Sequence, residues 1–162
     1  MSEEIELLRK KGLEHEDNFL KALEGDVIEI DPDAPLEEQS RMTREAMSQG
    51  KDYIYQAYLE NDQLAGYPDF MEKVKSPSKL GDFSYRILDT KLSNNPSAAN
   101  AVQLIHYSVI AEEIQGSPVE DLLVIHGNHS QSEINKADFF DYYNELLKEY
   151  EQFLNTDEKT AP

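Results

Sequence analysis

The chain has no cysteine among its 162 residues, which excludes disulfides, cysteine-ligated zinc and iron–sulfur clusters. It also lacks long apolar runs, and none approaches the ~20 residues that a membrane-spanning helix needs. The opening stretch MSEEIELLRKKG is charged and has no apolar centre, so it is not read as a signal peptide. A soluble, cytoplasmic protein with no membrane partner is expected. Basic residues are the other shortage, 15 against 33 acidic ones, for a formal net charge of −18. Such a surface keeps a protein soluble and repels polyanions, which argues against broad, sequence-independent phosphate binding.

What is present suits one domain with a real core. Residues 1–155 are read as that domain, and the polar end, residues 156–162, as a disordered tail. Residues 3 to 24 predict an amphipathic helix, because Ile5, Leu8, Gly12, His15, Phe19 and Leu23 recur at steps of three and four. DVIEI is a short strand, and PLEEQSRMTREAMSQG is a helix stopped by Gly50. DYIYQAYLE and LAGYPDFMEKV predict a hairpin around NDQ, with Pro68 demoting part of the return strand to an edge or a bulge. FSYRILDTKLS is the next strand. Residues 97 to 115 form a helix ended by Gly116, DLLVIHG is a strand buried on both faces, and KADFFDYYNELLKEYEQFL closes the chain as a helix. The fold class expected is α/β, a mixed central sheet flanked by helices.

The residues that carry chemistry are spread over this order. Strand alternation puts Tyr85, Ile87, Asp89 and Lys91 on one face, so Asp89 and Lys91 look into one cavity. Asp69, on the neighbouring strand, joins them if the pairing register allows. Two close carboxylates cannot both stay ionised cheaply without a cation between them, and hard oxygen ligands suit Mg²⁺ or Mn²⁺. Taken alone, an Asp-x-Lys triplet is more often the solvated end of a strand. Gln103 and Tyr107 stand at i and i+4 and share one helix face. His15 lies on an apolar stripe, where a histidine is more often a hydrogen-bonded core residue than a ligand. His106 is expected to point off the face of Tyr107, and His126 and His129, beside Gly127, read as structural or exposed.

In this order and spacing, His15, Asp69, Asp89-Thr90-Lys91, Gln103 and Tyr107 resemble the PD-(D/E)XK nuclease superfamily. GLEHEDNFLKAL, GYPDFM, LGDFSYRILDTKLS and QLIHYSVIAEEIQG look most like its RecB-like branch, which includes CRISPR-associated exonucleases. The resemblance spans roughly residues 11 to 127. It implies a restriction-endonuclease-like core and a divalent-metal-dependent, exonuclease-like DNA nuclease. It implies that His15, Asp69, Asp89 and the Thr90 carbonyl bind Mg²⁺ or Mn²⁺, without an iron–sulfur cluster. Lys91 is then catalytic, and Gln103 and Tyr107 organise the site or touch substrate phosphates. The implied partners are DNA, of either strandedness, and a helicase or other repair or CRISPR component. Two other functions stay open: a nucleic-acid-binding module without activity, and a metal-dependent hydrolase of a smaller phosphate ester. Lys73, Lys75 and Lys79, with Arg9, Lys10 and Lys11, read either as a basic rim on the acidic body or as plain solvated surface.

Overall fold

The structure is a computed structural model that describes residues 2–93, 97–119 and 121–160. Helix α1 runs over Glu3–Ala22. Its N-cap is Ser2, whose Oγ accepts from the Ile5 N–H at 3.3 Å, and Glu3, Glu4 and Glu6 sit where the helix dipole favours negative charge. Strand β1 is Val27–Glu29, and α2 is Leu36–Gln49, closed by Gly50 in the left-handed conformation. Strands β2 (Tyr53–Tyr55), β3 (Leu59–Glu60), β4 (Ala65–Gly66), β5 (Phe70–Val74) and β6 (Ser84–Lys91) follow. Helix α3 (Ala98–Gln115) lies between Ser97, whose Oγ accepts from the Asn100 N–H, and the left-handed Gly116. Strands β7 (Leu122–His126) and β8 (Gln131–Ile134) precede α4 (Lys136–Thr160).

Six strands make one mixed sheet in the order β1-β2-β5-β6-β7-β8, and β3 pairs with β4 apart from it. The chain is therefore mixed α/β with helices against the sheet, as the periodicity predicts. Strand β6 is central, antiparallel to β5 and parallel to β7 through the α3 crossover. Alternation along β6 divides two cores. Tyr85 and Ile87 face Leu104, Ile105 and Ile110 of α3 with Met47 of α2, while Leu88 joins Phe70 and Leu123 under Phe19, Leu20 and Leu23 near α1. Each fully buried aliphatic of this kind contributes roughly 1.5–3 kcal/mol. Among the described residues, no helix is long and apolar enough to cross a membrane.

The structure departs from the sequence expectations in four places. The predicted hairpin is broken in both arms: Gln56 turns left-handed after β2, and residues 67 to 69 interrupt the return strand. Strand β8 was not expected, because QSEI is short and mostly polar at a sheet edge. Helix α4 continues to Thr160, past residue 155, where a disordered tail was expected; no proline or glycine interrupts it before Pro162, and residues 161 and 162 lie outside the described residues. In α1 the apolar stripe is covered only from Gly12 onward. Ile5 is 54% and Leu8 61% exposed, because Gly12 already packs on Leu92, just past the end of β6, and the first turns run on beyond the sheet.

Candidate active site

The Asp-x-Lys strand behaves as its alternation requires. Asp89 and Lys91 share a face, and Lys91 Nζ stands 3.3 Å from Asp89 Oδ2. That is an ion-pair distance at an angle that makes no hydrogen bond, so Asp89 Oδ2 is buried with a charge beside it and no donor aimed at it. Asp89 is only 3% exposed, whereas the Lys91 side chain keeps 34% of its surface in solvent.

Asp69 reaches the same spot from β5. Phe70 pairs with Leu88 in antiparallel register, and one further step sets Asp69 opposite Asp89. Asp69 Oδ2 accepts from both Thr90 N–H, at 3.1 Å, and Thr90 Oγ1, at 3.2 Å. Thr90 thus fixes the second carboxylate with two donors, a role distinct from the carbonyl ligand implied by resemblance. Burial is the main cause that pushes the Asp89 carboxyl up from its usual 3.8 to about 8. The adjacent Asp69 adds to this, and Lys91 opposes it.

A third carboxylate completes the group, and the motif reading passes over it. Glu16 of α1 is half-buried, and Gln56 Nε2 donates to its Oε1 at 3.1 Å. Burial, followed by the charge of Asp69, raises the Glu16 carboxyl from 4.5 to about 7; Tyr55, Lys91 and Gln56 pull it back. The signal for Glu16 was in the sequence, since Gly12, Glu16, Phe19 and Leu23 form as good a helical stripe as the one drawn through His15. Gln56 had no such signal.

His15, expected among the ligands, turns to β7. Its Nε2 lies 3.0 Å from the Ile125 carbonyl, and its ring meets His129 edge-on. The hydrogen bond fixes Nε2–H as the donor and leaves Nδ1 the one nitrogen open to a cation. Gln103 and Tyr107 do share a face. Burial and the nearby charges of Asp89 and Asp69 push the Tyr107 hydroxyl up to about 12, against a hydrogen bond with the exposed Gln103. The Tyr107 ring fits only because residue 66 is glycine: a Cβ there would lie 2.5 Å from Tyr107 Cδ1. His106 and His126 are structural, and His129 is exposed. His106 bridges the Tyr143 hydroxyl and the Ala65 carbonyl, and buried His126 bridges the Ser93 carbonyl and Ser132 Oγ.

The candidate basic rim divides. Lys73 pairs with Asp52 at 3.3 Å and donates to the Gly50 carbonyl. It lies four residues along β5 from Asp69, roughly 13 Å away. Lys79 packs along Gly116 at that far end of the sheet. Arg9, Lys10 and Lys11 instead precede Glu16 on α1, exposed and with no ion pair among the described residues.

Glu16, Gln56, Asp69, Asp89 and Lys91 gather outside the carboxyl ends of β2, β6 and β7, the edge where open α/β sheets characteristically bind ligands. The donor set is oxygen-rich, with one buried carboxylate oxygen lacking a donor, and this suits a hard divalent cation. Among the described residues, no three His, Asp or Glu side chains already stand at metal-ligand spacing, so the acids are neighbours rather than a closed cage. A concavity of about 910 Å³ lies elsewhere, lined by Glu112, Val119, Glu133, Lys136 and Phe140. It has room but no converging chemistry, since Glu112 is already paired with Lys136. The chain matches no protein-family model and no curated protein.

Proposed function

We propose that this chain is a divalent-metal-dependent DNA nuclease that hydrolyses phosphodiester bonds, exonuclease-like in action, on a restriction-endonuclease-like core. One observation carries the reading: at the carboxyl edge of the sheet Asp89 lies against both Asp69 and Lys91, with its Oδ2 buried and without a hydrogen-bond partner, and Glu16 feels the charges of Asp69 and Lys91. Burial and the charge of Asp69 raise the Asp89 and Glu16 carboxyls, a cost that a cation bound between the acids would relieve. Asp69 and Asp89 would hold Mg²⁺ or Mn²⁺, with Glu16 beside them, and Thr90 would keep Asp69 in place through its two hydrogen bonds. When bound, such an ion polarises the phosphate and lowers the pKa of a water. Lys91, anchored by Asp89 yet open to solvent, orients that water and offsets charge building on the phosphate oxygens. Tyr107, with Gln103 at its hydroxyl, closes the α3 side. Arg9, Lys10 and Lys11 are the cations that a DNA backbone entering this edge would meet, and a helicase or other repair component is the partner proposed with it.

The net charge of −18 favours a second reading, a metal-dependent hydrolase of a smaller phosphate ester. Incubating the protein with labelled single- and double-stranded oligonucleotides, and in parallel with a mononucleotide ester, under Mn²⁺, Mg²⁺ or EDTA separates the two. Oligonucleotide cleavage that needs the metal and falls ~10²–10³-fold in Lys91→Ala, with Mn²⁺ binding retained, supports the nuclease. Turnover of the mononucleotide ester alone supports the hydrolase. Metal-independent cleavage, or none, refutes both.

A further inference from the structure

We propose that Gln56 is the positioning residue that ties the α1 half of the acidic site to the sheet half. The role deepens the metal-site reading above, but its geometry stands independently. Gln56 has φ +59, in the left-handed region that side-chain-bearing residues enter rarely; among the described residues the only other non-glycine with positive φ is His129. Strain of this kind persists where the surroundings over-determine it, and it gathers at functional sites.

The turn has two consequences. The backbone N–H of Gln56 donates to the Asp69 carbonyl at 2.9 Å, so the strand end carrying Asp69 stays laddered to β2. The side chain leaves the sheet and donates from Nε2 to Glu16 Oε1 at 3.1 Å, across forty residues of sequence. One residue therefore holds a backbone that bears one carboxylate and a side chain that is another. Glycine would satisfy the turn at no steric cost, but it has no amide for Glu16. Groups that orient metal-binding carboxylates from behind typically cost ten- to a hundredfold in metal affinity or activity when removed.

Gln56→Gly isolates the amide, because it keeps the left-handed turn and the N–H bond to Asp69. Gln56→Asn is the second variant: it also tolerates the turn, and its amide is one methylene too short to reach Glu16. Both variants should melt within a few degrees of the parent in EDTA. Both should bind Mn²⁺ about tenfold more weakly by calorimetry. In a Glu16→Gln background, Gln56→Gly should cause no further loss. In the metal-free protein, the Glu16 carboxyl carbon signal should move in both variants. If Mn²⁺ affinity and the Glu16 signal are both unchanged in either folded variant, the positioning role is overturned. If the parent binds no Mn²⁺, the metal reading fails, and the Glu16 signal in EDTA alone decides Gln56: movement upholds the tie, and no movement overturns it.

Discussion

Replacing Asp89 by asparagine should make this protein more stable while abolishing its activity, and the size of the effect can be worked from the site. The folded protein raises the Asp89 carboxyl from 3.8 to about 8. An acid raised on folding is bound to its proton in the native state and has released it in the unfolded one, so stability is full below pH ~4 and falls as pH rises toward 8. At pH 7 that difference is about three pH units, or roughly 4 kcal/mol at most. Asparagine cannot ionise and removes the whole penalty. Lys91 loses its partner, but its exposure lets water replace it. Urea denaturation in EDTA at a series of pH values measures the gain, and equal slopes in the two proteins would license the comparison. The variant should match the parent near pH 4 and exceed it by ~2–4 kcal/mol at pH 8, on the order of 10 °C in melting temperature. With saturating Mn²⁺ the gap should close, because only the parent gains the full binding term. A gain that is absent, or independent of pH, would show that Asp89 is not held protonated by burial and by Asp69.

Gly66→Ala should push its Cβ into the Tyr107 ring and cost ~1–3 kcal/mol along with activity, which thermal melting and cleavage assays would record; an unaffected protein would mean that the ring has somewhere else to go. His15→Ala should lose ~0.5–1.5 kcal/mol, because it removes the buried hydrogen bond to the Ile125 carbonyl. The same variant should bind Mn²⁺ normally by calorimetry; lost binding with an intact fold would restore His15 as a ligand. Neutralising Arg9, Lys10 and Lys11 together should weaken DNA binding in a gel-shift titration and lower the salt slope by up to ~0.9 per contact, whereas neutralising Lys73, Lys75 and Lys79 should not; the reverse pattern would put DNA at the other end of the sheet.

The sequence by itself determined the elements whose reasons are local. Gly50 and Gly116 end α2 and α3, Ser97 caps α3, and the period of two along SYRILDTK fixes that Asp89 and Lys91 look the same way. A spacing of four likewise puts Gln103 and Tyr107 on one face. Only the tertiary structure decided which stripe residue of α1 meets the acids. The steps of three and four admit both His15 and Glu16, and the choice depends on where α1 lies against the ends of β6 and β7, which no local pattern encodes. The docked helix gives His15 to the Ile125 carbonyl and Glu16 to Gln56. The basic rim failed for a related reason: Lys73 and Asp69 are near neighbours in sequence, but an extended strand carries them to opposite ends of the sheet. The raised carboxyls of Asp89 and Glu16 also belong to the tertiary level, because a charge becomes costly only after the chain has removed water from around it and brought other acids beside it.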